Sequence, residues 1–406
     1  MASTTEALVL LTLVASLVGI LARRANLPYT VALVVCGLGL GAIPVIRDNS
    51  LTPDLVLFVF LPGLLFEAAF HLHVDLLRHT WRAVLTLALP GVLITLGVVA
   101  SLTHFWLGLD WNSAFLLGAM VSPTDPIAVL AIFRRLGVPG RLASVVEGES
   151  LFNDGVGLVA YTIALAAARG NGFSAGQGAQ LFLTSVVGGL VLGGLLGFVA
   201  SRLTARVDDH LIEMTISVAL AYGSYLVAEA VGVSGVLAAI AAGLLHGNYG
   251  RAIGMSARTR EALDDLWEYA AFALNSLVFL LLGAALDVRH LATRWDGIAI
   301  ALLATVVGRA LAVYGLGSLR PLLRRATMPA RWRHLIFWAG LRGALSLAMA
   351  LALPMTFPNR AELVDLVAGI VLVTLVVQGG TVGPLARRLL AIGVQPKPAG
   401  PDVKPG

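Results

Sequence analysis

S-V-V-E-G-E-S-L-F-N-D-G-V-G-L, residues Ser144 to Leu158, sets three carboxylates and an amide into a run that is otherwise apolar. Glu149 and Asn153 are four apart, as are Ser150 and Asp154, so on a helix they form adjacent ridges of one polar face. Apolar sequence continues through Val156, Leu158, Ala160, Ile163 and Leu165, which carries these groups into low dielectric. A charge there costs roughly 2.5 to 3.5 kcal/mol on insertion scales and by default marks an ion or proton path.

The rest of the chain supplies that setting. Of 406 residues, 58% are hydrophobic and 13% charged, with a mean hydropathy of +0.88, far outside the range of a soluble domain. The fold class is therefore an all-α polytopic membrane protein. Cys36 is the single cysteine, so neither a disulfide framework nor a thiolate metal site can be built. The net charge of +5 reads as arginines in cytoplasmic loops and not as a nucleic-acid surface. The first apolar run, Ala7 to Ala22, follows Glu6 and precedes Arg23 and Arg24, the pattern of a retained span and not of a cleaved signal.

At about 20 residues per crossing the chain divides into thirteen spans: 5–22, 28–46, 52–71, 82–105, 111–133, 139–168, 178–202, 211–230, 232–247, 268–286, 296–318, 333–355 and 363–386. Spans 8 and 9 are separated only by Gly232 to Gly235, and the polar stretch from Gly250 to Glu268 reads as a short amphipathic helix at the interface. Basic residues fall mainly after odd-numbered spans: Arg23 and Arg24, Arg78 and Arg82, Arg134, Arg135 and Arg141, then Arg320, Arg324, Arg325, Arg331 and Arg333. The positive-inside rule then places the C-terminus in the cytoplasm and the N-terminus outside. Residues 392–406 are too short and too proline-rich to bury a core and read as a disordered cytoplasmic tail.

Span 5 contains V-S-P-T-D-P-I-A-V, with Pro123 and Pro126 bracketing Thr124 and Asp125. Each proline removes a donor and clashes one turn back, so the helix should unwind and free carbonyls there. Span 12 carries a comparable interruption, G-L-R-G-A-L-S. Corresponding elements are offset by seven spans if residues of about 1–168 and 211–391 are repeats joined by the linking span 178–202. An odd offset makes the repeats inverted, the plan of secondary transporters with broken helices crossing at a midplane site.

Asp154 and Asp125, supplemented by the Thr124 and Ser150 hydroxyls and freed carbonyls, offer an all-oxygen shell suited to a hard alkali cation. In such a place desolvation favours the protonated acid, and a bound cation favours the carboxylate. Cation and proton then compete for one site, and alternating access converts the competition into exchange. Arg309 and Arg342 lie inside spans, and each needs a carboxylate or a ring of carbonyls; Glu149 is the natural partner for one of them. Glu67, in F-L-P-G-L-L-F-E, either lines a cytoplasmic funnel or snorkels to the interface near His71. The histidines sit mainly at span ends, and the glycines of G-G-L-V-L-G-G-L-L-G in span 7 suit close helix packing, not phosphate binding.

Four motifs, S-P-T-D-P at 122–126, G-E-S-L-F-N-D at 148–154, F-L-P-G-L-L-F-E at 60–67 and G-L-R-G-A-L at 340–345, in this order and spacing resemble the monovalent cation/proton antiporters of the NhaP and animal sodium/proton exchanger type. The resemblance covers essentially the whole of residues 1–391. It implies a thirteen-helix antiporter domain, a homodimer with a dimerisation domain, and a core that moves like an elevator in the inner cell membrane. It matches the ion-binding aspartate to Asp154, the preceding asparagine to Asn153, the unwound-helix pair to Thr124 and Asp125, and the structural ion pair to Glu149 and Arg309. Asn153, in place of a second aspartate, implies an electroneutral Na+(Li+)/H+ antiporter with no cofactor beyond the transported ions. K+/H+ exchange on the same fold is the second reading. A cation channel lacks a carbonyl filter or acidic ring here, and an intramembrane hydrolase lacks an activating motif.

Overall fold

The computed structural model of the protein describes residues 2–25, 28–41, 52–170, 174–316 and 328–390. Among these residues every regular element is helical and there is no strand, because backbone in hydrocarbon must satisfy its own hydrogen bonds. Among the described residues seven stretches, including Val74–Leu107, Gly140–Arg169 and Ala257–Ala285, are long and apolar enough to cross a membrane unaided. Shorter apolar helices, including Tyr29–Leu40 and Leu55–His71, pack among them. Among the described residues a helical segment stands at each of the thirteen expected crossings. Arg320, Arg324 and Arg325 of the expected basic cluster and the tail at 392–406 lie outside the described residues.

Two boundaries differ from expectation. The fourth crossing begins at Val74, not at 82, and bends at Leu89 where Pro90 opens its second half, Pro90–Leu107, since proline brings no N–H to the ladder. The polar stretch 250–268 is not a separate interfacial helix: from Ala257 it forms the first turns of one helix that runs to Ala285. Ser256 caps that helix, its side chain accepting from the Thr259 N–H. Its polar turns are then consumed by protein contacts with the helix His210–Ala230. Thr259 Oγ1 donates to Glu213 Oε1 at 2.9 Å, and Trp267 Nε1 donates to Ser217 Oγ at 2.9 Å.

The glycines of the seventh crossing act as expected. An ideal Cβ on Gly193 would stand 2.1 Å from the Ala238 carbonyl oxygen, and one on Gly197 would stand 2.9 Å from that of Ala242. The helices Ala175–Thr204 and Gly235–Leu245 therefore meet backbone to backbone, the approach that only small residues permit. Gly194, one residue on, faces open space.

Alanine scanning at this pair should give effects of opposite sign. Gly193→Ala should lower the detergent melting temperature, because overpacking typically costs about 1 to 3 kcal/mol. Gly194→Ala should leave it unchanged or raise it, since alanine gains roughly 0.8 to 1 kcal/mol of helix propensity over glycine. Equal melting of the two variants would count against the backbone contact.

Candidate functional site

Both proline- and glycine-marked interruptions are present. The helix Trp111–Val121 stops at Ser122 and resumes as Ile127–Leu136; the helix Ala330–Trp338 stops before Gly340 and resumes as Ala344–Leu351. The two gaps meet. The Asp125 N–H donates to the Leu341 carbonyl at 2.8 Å, and Gly343 lies so close to Asp125 that an ideal Cβ there would fall 2.2 Å from Asp125 Oδ2. Glycine is required at this point by contact, not by a left-handed backbone.

Arg342 ties the crossing from inside. Its guanidinium, in a residue 1% exposed, donates through Nη1 to the carbonyls of Ser122 at 2.5 Å and Pro123 at 2.8 Å. These are carbonyls that the broken helix Trp111–Val121 leaves without helical partners, and the negative end of its dipole. The ring of carbonyls expected for one intramembrane arginine is thus met by the opposite broken helix.

The helix Gly140–Arg169 packs its polar ridges against the first gap. Asn153 Nδ2 donates to Thr124 Oγ1 at 2.8 Å, and the Thr124 N–H donates to Asn153 Oδ1 at 3.2 Å, so one amide satisfies a donor and an acceptor of the unwound segment. Ser150 Oγ donates to the Thr124 carbonyl and lies 3.3 Å from Thr124 Oγ1. The nominated hydroxyls are therefore brought together with Asp125 and Asp154, and they are engaged in holding the gap. Gly157 allows this packing, as an ideal Cβ there would meet Pro123 Cγ at 2.3 Å.

Glu149 and Asp154 leave that helix with different surroundings. Glu149, 1% exposed, forms a two-pronged pair with Arg309: Nη1 donates to Oε1, and Nη2 to Oε2 at 3.0 Å, while Nη2 also donates to the Ile336 carbonyl at 2.8 Å. Asp154 makes no hydrogen bond or ion pair among the described residues; its charged neighbours are Asp125 and Arg342. Asp125 is oriented by the Ile127 N–H, which donates to Oδ1 at 3.0 Å.

A cavity of about 410 Å³ runs past these acids. Asp154, Asp125, Thr124 and Gly343 line it together with Glu67, Glu147 and Arg134, which stand near the helix ends that adjoin the basic loops. Glu67 faces this cavity and also lies 3.1 Å from His71 Nδ1; His71 Nε2 lies 3.2 Å from Asp264 Oδ1, and Arg251 pairs with Asp264. With Glu149 and Asp154, Glu147 is the third carboxylate of the stretch 144–158. Its signal was its spacing: seven residues before Asp154, it stands two turns, roughly 10 Å, along the same helix face. Asn275, which lies in no quoted motif, and Ser346, the last residue of the G-L-R-G-A-L-S interruption, are further cavity residues. Among the described residues no group of three or more His, Cys, Asp or Glu is placed to hold a metal ion. The oxygens along the cavity suit a monovalent cation as cargo.

Crossed broken helices around acids that line a cavity, set in an all-helical membrane body, define an ion-coupled secondary transporter. The family described as "Sodium/hydrogen exchanger, transmembrane" matches residues 10–388, and the chain belongs to it. The Na(+)/H(+) antiporter ApNhaP of Aphanothece halophytica is 40% identical over 91% of this chain and 71% of its own length. The Na(+)/H(+) antiporter NhaG of Bacillus atrophaeus is 39% identical over 94% and 73%. The solved structure of the sodium proton antiporter MjNhaP1 from Methanocaldococcus jannaschii at pH 8 covers 96% of this chain with a TM-score of 0.76 at 22% identity, and 99% of that chain is matched.

The Glu149–Arg309 geometry sets a stability test. Glu149→Ala strands a buried guanidinium and should cost about 3 to 5 kcal/mol, whereas replacing Glu149 and Arg309 together by apolar residues should recover most of the loss. Detergent thermal-shift measurements on the single and double variants check this; equal losses would argue against the pair.

Proposed function

We propose that the protein is a secondary active, electroneutral Na+(Li+)/H+ antiporter in which cation and proton compete for Asp154 by alternating access. The observation that carries this reading is the contrast within one helix: Glu149 is locked by Arg309, while Asp154 faces the cavity without a partner among the described residues. Asp154 binds the cation with Asp125, and the Thr124 carbonyl, Ser150 and Asn153 shape the shell around them. Glu67 and Glu147 draw cations along the cavity from the side of the basic loops, which is the cytoplasm by the positive-inside rule. The N-terminus is then outside, the C-terminus cytoplasmic, and the working unit in the cell membrane is a homodimer. The inverted repeats, about 1–168 and 211–391 around the span 178–202, supply the two half-states.

Asp154→Asn should abolish cation/proton exchange in proteoliposomes while leaving a folded protein, since no other group both binds the cation and carries the proton. Retained Na+ uptake driven by a pH gradient in this variant would refute the assignment.

Charge balance gives a second test. With Glu149 held by Arg309, the mobile site carries the same charge whether Asp154 holds Na+ or a proton. A membrane potential, which offers about 2.3 kcal/mol per charge per 100 mV to an electrogenic cycle, should then leave the exchange rate unchanged in vesicles clamped with K+ and valinomycin. A rate that rises under one polarity and falls under the other would overturn one-for-one exchange. Scanning Na+, Li+ and K+ in the same vesicles separates sodium from potassium exchange.

A further inference from the structure

The second broken helix resumes at Gly343, the N-cap of Ala344–Leu351, which brings no side chain of its own. Asp125 stands in the room where an N-cap side chain would start, 2.2 Å from an ideal Cβ. Ser346 is the third residue of that helix, on the same side as Gly343, and from this position a side chain reaches back toward the N-cap in a capping box. Its hydroxyl is thus about one helical turn from the Asp125 carboxylate. It lines the same cavity as Asp125 and Asp154.

Ser346 is 1% exposed, and its Oγ has no hydrogen-bond partner among the described residues. A helical serine ordinarily donates to the carbonyl three or four residues back, as Ser122 does to Gly118 at 2.5 Å and Ser101 to Gly97 at 2.8 Å. The Thr124 and Ser150 hydroxyls are engaged across the first gap. A buried hydroxyl without a partner calls for an explanation, and a bound ion is one of the few available. Thr30 Oγ1 and Asn275 Oδ1 also line the cavity without partners among the described residues, but they belong to the helices Tyr29–Leu40 and Ala257–Ala285, whereas Ser346 belongs to the broken helix whose N-cap, Gly343, lies against Asp125.

We infer that the Ser346 hydroxyl is an oxygen ligand of the transported cation and, through the size of the shell it completes, a determinant of which alkali cation the site accepts. The inference rests on the antiporter reading and adds a ligand from the second broken helix to a shell otherwise drawn from the first. A ligand on each side of the crossing makes the oxygen-to-oxygen span depend on how the two gaps sit together. Ligand number and cavity size are what set selectivity among hard cations.

The test measures exchange kinetics of the full chain in proteoliposomes over Na+, Li+ and K+. Ser346→Ala should raise the KM for Na+ by about three- to tenfold, the worth of one ordinary polar contact, and should narrow the preference between Na+ and K+ with kcat near wild type. Ser346→Thr, which keeps the hydroxyl, should restore both. Ser346→Cys, close to serine in volume but a poor ligand for hard cations, should repeat the alanine result and covers the case in which alanine unsettles the fold. Wild-type KM values for every cation in the alanine and cysteine variants, or a threonine variant as impaired as alanine, would overturn the inference. Wild-type vesicles that exchange no cation for protons would instead overturn the antiporter reading on which it rests.

Discussion

Two helices broken in the middle of an apolar slab can persist only if each polar group released by one break is met by the other, and this reciprocity is what the rest of the structure depends on. The Arg342 guanidinium closes the carbonyl end of the first broken helix through Ser122 and Pro123. The Asp125 N–H closes onto Leu341 of the second. An unmatched backbone group in hydrocarbon costs several kcal/mol, so neither gap is stable without its counterpart. The crossing is therefore one unit, and whatever moves Gly343 moves Asp125.

Around this unit the helix Gly140–Arg169 performs a division of labour among its polar side chains. Asn153 and Ser150 saturate Thr124 and hold the unwound segment open. Glu149 is neutralised by Arg309 and gives that arginine, on Trp295–Ala310, its anchor to the crossing. Asp154 alone among the acids of this helix combines a place beside Asp125 with freedom from any partner among the described residues. A carboxylate already committed to a guanidinium cannot alternate between a cation and a proton without leaving a buried charge behind. The free one can, which is why the proposed exchange is assigned to Asp154 and not to Glu149.

Close backbone contact between crossings has a different physical origin from the site. At Gly193 and Gly197 the absence of a side chain lets two helices share a face in lipid, where burial of apolar surface offers no driving force and contact must come from fit. At Gly343 and Gly157 the same absence serves the gap, giving room to Asp125 and Pro123.

Much of this was legible in the chain. Hydropathy set the number of the crossings, because a 30 Å hydrocarbon layer imposes a helix length. Prolines at 123 and 126 marked the first break, and the spacing of Glu149, Asn153 and Asp154 put them on one face. Other features required the fold. The residues by themselves left Glu149 with two candidate arginines and the resemblance pointed to Arg309; the packing of Trp295–Ala310 against Gly140–Arg169 puts Arg309 on Glu149, while Arg342 goes to carbonyls. The polar turns after Ala257 read as an interfacial helix because their partners, Glu213 and Ser217, lie some fifty residues away. Glu147 and Ser346 lie within marked stretches, but nothing in those stretches places them on the cavity: a side chain's spacing on its own helix is local, while the cavity it faces is made by elements from distant parts of the chain, and only their packing creates it.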